Sequence, residues 1–122
     1  MPSDRGGERM IENAKIVNTM LGYEGHGIET FSLELELETG SISYGGYVLG
    51  SPGENHKRIG TAFGMTAIFE LMNVVGVSCW EQLKGKYCRV ELESKYGPVK
   101  RIGNLLKNEW YDLSEILERT RK

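Results

Sequence analysis

Arg58, Gly60 and Thr61 stand just ahead of an apolar run, and their types suit phosphate binding. Thr61 has the side chain of a helix N-cap, and glycines at 60 and 64 leave the first-turn N–H groups open. Such a helix start attracts anions through those N–H groups and the positive end of the helix dipole, and Arg58 reinforces it. Met65 ends the same Arg58–Met65 run and belongs to the same candidate site. The competing reading is a packed helix whose small residues only allow close approach to a sheet. A second cluster gathers Lys95, Tyr96, Lys100, Arg101, Asn104 and Lys107 within one hairpin. Cations serve phosphate oxygens, an amide can bond a base edge or ribose, and a tyrosine can stack on a purine. The alternative there is an ordinary solvated strand face. Tyr44 and Tyr47 flank Gly45-Gly46, a pair that breaks a strand's alternation, so a bulge is expected that either admits a flat ring or simply bends the strand.

Groups for covalent or acid–base chemistry are poorly represented. The chain carries no glycine-flanked serine elbow and no phosphate loop of the Walker type. His26 and His56 are far apart, each in a loop, and Cys88 falls on the inward side of a strand, where it reads as a small hydrophobe. The glutamates 34, 36 and 38 splay along a flat strand face, which suits solvation better than a metal, and no cofactor is implied.

These residues need elements to hold them. Ala14 to Leu21 reads as a first strand, with Ile16, Asn18 and Met20 on one face and Val17 and Leu21 on the other. Phe31, Leu33, Leu35 and Leu37 then alternate strictly with Ser32, Glu34, Glu36 and Glu38, which is a half-buried strand. Thr39-Gly40-Ser41 turns the chain into a third strand, Ile42 to Leu49, and Gly50 to Asn55 is a loop with Ser51-Pro52-Gly53 as its turn. A single long central helix follows from the Thr61 cap to Gly76, burying a broad face of Met65, Ile68, Met72 and Val75 widened by Phe69 and Leu71. Ser78-Cys79-Trp80-Glu81 fits a capping box over one short helical turn. Tyr87 to Glu93 and Val99 to Leu106 form a second hairpin, and Asp112-Leu113-Ser114-Glu115 opens a C-terminal helix. The expected fold is α+β, a mostly antiparallel sheet of about five strands with these helices packed on it. Residues 1–10 read as a disordered tail and 11–122 as one domain.

Bulk properties narrow the function. A chain of 122 residues supports one modest core. Two cysteines fit a reducing compartment without a disulfide framework, and no apolar run is long enough for a membrane helix. A net charge of −2 argues against a general duplex-DNA binder, though local cations can still meet phosphates.

Several stretches together resemble a known family. The turn Gly25-His26-Gly27, the Gly45-Gly46-Tyr47 bulge and the run Arg58-Ile59-Gly60-Thr61-Ala62-Phe63-Gly64-Met65 are its first signals. Trp80-Glu81, Leu83-Lys84-Gly85-Lys86-Tyr87, Arg89-Val90 and the Ile102-Gly103-Asn104, Lys107, Trp110 ending complete the pattern. From about Met10 to Asp112 the chain resembles the first type of Thoeris anti-defence protein, a family of small phage proteins. The resemblance implies a non-enzymatic sponge that binds and keeps cyclic ADP-ribose isomers, such as glycocyclic ADP-ribose, made by TIR-domain immune enzymes. It also implies action in the cytoplasm of an infected bacterium. Homodimers or hexamers built as trimers of dimers are implied as well, with the signal at subunit interfaces and, in some members, cyclic oligonucleotides of CBASS at a separate site. The ligand would then meet Tyr44, Gly45, Arg58, Gly60, Thr61 and Met65 on one side, and Tyr96, Arg101, Asn104 and Lys107 on the other. Arg119 and Arg121 would reach across to a neighbouring subunit's ligand, although arginines at a helix end are usually solvated. Read without the resemblance, the basic second hairpin equally fits a small single-stranded nucleic-acid-binding module, and the glycines a structural or regulatory phage protein.

Overall fold

A computed structural model describes residues 10–121, so the expected tail lies outside the described residues except for Met10, which opens the first strand. In chain order the elements are β1 (Met10–Tyr23), β2 (Glu29–Leu37), β3 (Gly40–Gly45), β4 (Gly50–Pro52), β5 (Arg58–Gly60), α1 (Ala62–Val75), β6 (Tyr87–Leu92), β7 (Val99–Gly103), β8 (Trp110–Tyr111) and α2 (Leu113–Thr120). Six strands form one sheet in the order β3-β2-β1-β6-β7-β8, and β4 and β5 make a separate two-stranded ribbon. Every pairing is antiparallel, so the α+β reading holds with more strands than expected.

The alternation in β2 is real: Phe31, Leu33, Leu35 and Leu37 are buried and Glu34 and Glu36 are exposed. β1 is longer than its sequence suggests and changes face midway. Its register against β2 shifts between Ile16 and Asn18. A bulged residue at Val17 therefore returns Thr19 and Leu21 to the face that Ala14 and Ile16 occupy, opposite Leu33 and Phe31. Asn18 and Met20, expected beside Ile16, lie on the opposite face. Gly45 (φ 124°) and Gly46 (φ 87°) end β3 rather than bulging within it. A Cβ at Gly45 would stand 2.3 Å from the Phe31 carbonyl oxygen, so only glycine lets the two backbones meet there.

Both helices cover one face of the sheet. α1 begins as expected, with Thr61 Oγ1 accepting from the Gly64 N–H, and ends at Gly76 in the left-handed conformation. Its buried face is only partly the expected one: Leu71 and Val75 face the core and Ile68 packs against it, but Gly64 and Ala67 are buried beside them while Met65 and Phe69 are half exposed (51% and 50%). Gly64 helps decide this, because it lets the first turn meet the Leu49 backbone in the segment between β3 and β4. Ser78 does not cap the short turn Trp80–Gln82; its N–H and hydroxyl both donate to Gln82 Oε1. Asp112 does cap α2, accepting from Ser114 and Glu115. Tyr111 fixes α2's approach by donating its hydroxyl to the Ala67 carbonyl of α1 at 2.8 Å, while stacking edge-on against Tyr44.

Candidate functional site

The start of α1 forms one wall of a pocket of about 330 Å³. Gly60, Thr61, Gly64, Met65 and Ile68 line it from the helix side; Leu21, Gly22 and Tyr23 from the end of β1; and Glu29 and Leu49 from below. That volume is at the lower end for small-molecule sites, roughly 300–1,000 Å³. Local sequence explains the geometry. Thr61 Oγ1 donates to the Leu49 carbonyl at 2.8 Å while accepting from Gly64, so one hydroxyl joins the helix start to the chain leaving β3. The N–H groups of Ala62 and Phe63, in the first turn, have no acceptor within the helix. Gly60 leaves open space beside that end, whereas Gly64 is packed against the Leu49 backbone, and Ala62 and Phe63 themselves do not line the pocket.

Arg58 does not line this pocket; it is tied to the pocket wall through Glu29, an acid with no signal in the local sequence. Its Nε and Nη2 donate to the two carboxylate oxygens of Glu29 at 2.9 and 2.7 Å, a fork-on-fork pair. The charge available to an anion is thereby reduced, and Glu29, on the pocket wall, is neutralised. The Arg58 guanidinium holds the Glu29 carboxyl well below its ordinary 4.5, at about 2. A lowered folded-state value means the contribution is complete above about pH 4.5 and is lost as pH falls towards 2. Acid titration of the folded protein is thus expected to show less loss of stability between those values in Glu29→Gln than in the parent. An identical acid limb in both proteins would mean that the pair contributes nothing. No local pattern announces Glu29, since its partner is far along the chain.

The remaining expected site residues are not gathered here. Tyr44 is buried in the core (7% exposed) and burial keeps its phenol protonated, so no ligand ring can stack on it; Tyr47, half exposed, is the accessible tyrosine of that pair. Gly45 serves backbone contact with Phe31. Asn104 lies at the other end of α1, where its Nδ2 donates to the Val74 carbonyl. A helix of 14 residues spans roughly 21 Å, so Thr61 and Asn104 of one subunit cannot grip the same small molecule. Lys107 follows in the loop that Asn104 organises, its own N–H donating to Asn104 Oδ1. Tyr96 is 79% exposed on the β6–β7 turn, beside Lys95, and lines a shallow groove with Ser41 and Ile42. Arg101 is paired with the buried Glu91 at 2.5 Å. Arg119 bonds Glu70 of α1 at 2.9 Å and approaches Glu115 on its own helix, while Arg121 stands 4.0 Å from Glu118. Both lie on the outside of the molecule.

Cys88 is fully buried, which pushes its thiol up to about 12, and Cys79 is exposed. Among the described residues no group of three or more His, Cys, Asp or Glu is placed to hold a metal ion, and no helix is long and apolar enough to cross a membrane. No protein-family model matches the sequence, and no curated protein sequence matches it.

Proposed function

We propose that this protein captures and keeps a small diphosphate-bearing nucleotide signal, a cyclic ADP-ribose isomer of the glycocyclic kind, without turning it over. The observation that carries the reading is the pocket itself: a capped, glycine-flanked helix start opening onto an apolar wall of Leu21, Tyr23, Met65 and Ile68. The helix end offers N–H groups to a pyrophosphate, and the apolar wall offers a surface to a purine or ribose. The motif likeness to the Thoeris anti-defence proteins supports the same ligand class.

The surroundings favour a homo-oligomer. Leu21, Tyr23, Ile59, Met65 and Phe69 are exposed around or near the pocket mouth. Beyond Lys15 the side of β1 that faces β6 has no strand partner among the described residues, although Ile16 exchanges backbone bonds with Gly85 and Lys86. An open strand edge with apolar neighbours is a ready docking place. A second copy seated there would close the pocket, exclude water and slow release, which is what sequestration needs. It would also bring an outward-facing residue such as Arg119 to the other subunit's ligand.

The test is direct. Purified protein mixed with the product of a TIR-domain enzyme and passed through a size filter should deplete the free signal, and heating should return it unchanged. Met65→Glu places a charge in the apolar mouth and is expected to lower affinity at least tenfold with the thermal midpoint nearly kept, because Met65 is half exposed. Recovery of a cleaved product would make the protein an enzyme, and absence of depletion would remove the reading.

A further inference from the structure

The face of the sheet opposite the helices carries a second arrangement, separate from the pocket. The buried apolar side chains of β1, β2, β6 and β7 point towards α1 and α2, so the alternate residues lie on the opposite face, where Glu91 and Gly103 are themselves buried and Asn13, Glu34, Glu36 and Tyr87 are exposed. Strand register sets them in rows. Asn13, Arg89, Gly103 and Trp110 stand side by side across β1, β6, β7 and β8. One row away Lys15 faces Tyr87, and on the other side Ile11, Glu91 and Arg101 follow one another.

Trp110 is laid down on this face by a glycine. A Cβ at Gly103 would come within 2.7 Å of the indole carbons Cε3 and Cζ3, so the missing side chain is what lets the ring lie over β7. Its Nε1 donates to Asn108 at 3.0 Å, which fixes the ring's rotation. The guanidinium carbons of Arg89 and Arg101 sit 4.8 and 4.7 Å from the ring centre. Both arginines are tethered: Arg89 donates Nε to the Asn104 carbonyl and Nη2 to that of Lys107, and Arg101 donates Nε to Glu91. A guanidinium has five N–H groups, and the bonds recorded for Arg89 use two of them. Lys15 Nζ stands 5.7 Å from the centre of the Tyr87 ring, which is 55% exposed.

Charge on this face is divided. Glu34 and Glu36 occupy the β2 side, with Glu36 directly across from Lys15 of β1, whereas Arg89 and Arg101 occupy the β6–β8 side, where the buried Glu91 is matched by Arg101. Glu93, just beyond β6, and Glu109, just before Trp110, are exposed acids that adjoin that side. A polyanion is therefore turned away from β2 and towards the aromatic rings. From strand spacing and rise, Tyr87 and Trp110 are about 12 Å apart, room for a few unstacked nucleotides. Fixed cations interleaved with aromatic rings on an open sheet suit a flexible single strand, since a duplex hides the base faces that such rings need.

We propose that this open face binds single-stranded nucleic acid, with Tyr87 and Trp110 as stacking surfaces and Lys15, Arg89 and Arg101 as phosphate partners. It is independent of the pocket at α1. The experiment is a fluorescence titration of the intact protein with a short oligodeoxythymidine at low and moderate salt, reading quenching of tryptophan and the anisotropy of a labelled strand. Three phosphate contacts predict a logarithmic salt slope of about −2 for a single strand. Tyr87→Ala is expected to weaken binding about tenfold, and Lys15→Gln to flatten the salt slope. Both positions are on the surface, so unchanged thermal midpoints should accompany these losses. Met65→Glu, in the α1 pocket, should leave oligonucleotide affinity as it was. Absence of binding at low salt, equal binding of the matching duplex, or affinity indifferent to Tyr87→Ala would each overturn the proposal.

Discussion

Gly64→Ala is expected to destabilise the protein by about 3 kcal/mol or more, lowering the thermal midpoint by roughly 10–20 °C. A Cβ at this position would stand 1.8 Å from the Leu49 carbonyl oxygen and 2.8 Å from its carbon. Those are backbone atoms, so no side-chain rotation relieves the overlap. The first turn of α1 must lift away from the segment between β3 and β4, which breaks the Thr61–Leu49 hydrogen bond and opens the pocket that the turn walls. A buried acceptor that loses its donor adds about 1–3 kcal/mol of its own. Gly60→Ala provides the contrast, only four residues earlier. Nothing lies within 4 Å of a Cβ at Gly60 and its φ is not positive, so that substitution should be near neutral. Thermal unfolding of the two variants side by side checks the argument. Similar midpoints would mean that α1 can approach Leu49 less closely than the structure has it.

The contrast also locates what the sequence discloses. Period-two alternation in β2, the Thr61 and Gly76 caps of α1 and the Asp112 cap of α2 are local signals, each satisfied within a few residues, and all stand in the structure. The buried face of α1 is different in kind. The helix is apolar nearly all round, so a stripe of large residues does not say which side is covered. Gly64 and Ala67 mark it instead: Gly64 meets the Leu49 backbone, and the Ala67 carbonyl accepts from the Tyr111 hydroxyl. The strands β4, β5 and β8 were not legible for a related reason. They are two or three residues long, rich in glycine and proline or an aromatic pair, and exist only because tertiary contacts bring a partner alongside. Val17's bulge inverted the reading of β1's second half, since strict alternation cannot register one extra residue. For the site, residue types close together in sequence were legible, as at Gly60, Thr61 and Met65. Pairings across distance were not: Glu29 with Arg58, and Asn104 with Val74.

Asn104→Ala is the second large expectation, and it separates a binding role from a structural one. The side chain makes three bonds at once. Nδ2 donates to the Val74 carbonyl at 2.8 Å, near the end of α1, and Oδ1 accepts from the N–H groups of Leu106 and Lys107 at 2.9 and 2.8 Å. The same residue's carbonyl accepts from Arg89, so the loop between β7 and β8 is fastened to both the helix and the sheet through one position. Alanine leaves a helix-end carbonyl and two loop amides without these partners. At about 1 kcal/mol for each, the loss should be roughly 2–4 kcal/mol, with faster amide exchange at Leu106 and Lys107. Asn104→Asp should be no milder. A carboxylate can still accept from the loop amides, but it cannot donate to Val74, and its charge sits against the negative end of the α1 dipole. Denaturant midpoints, with nucleotide affinity measured on the fully folded fraction, decide the matter. A stable Asn104→Ala protein that had lost its signal would put the amide on the ligand. A destabilised one that still binds when folded would make Asn104 a fastening of the scaffold, which is what its three bonds lead us to expect.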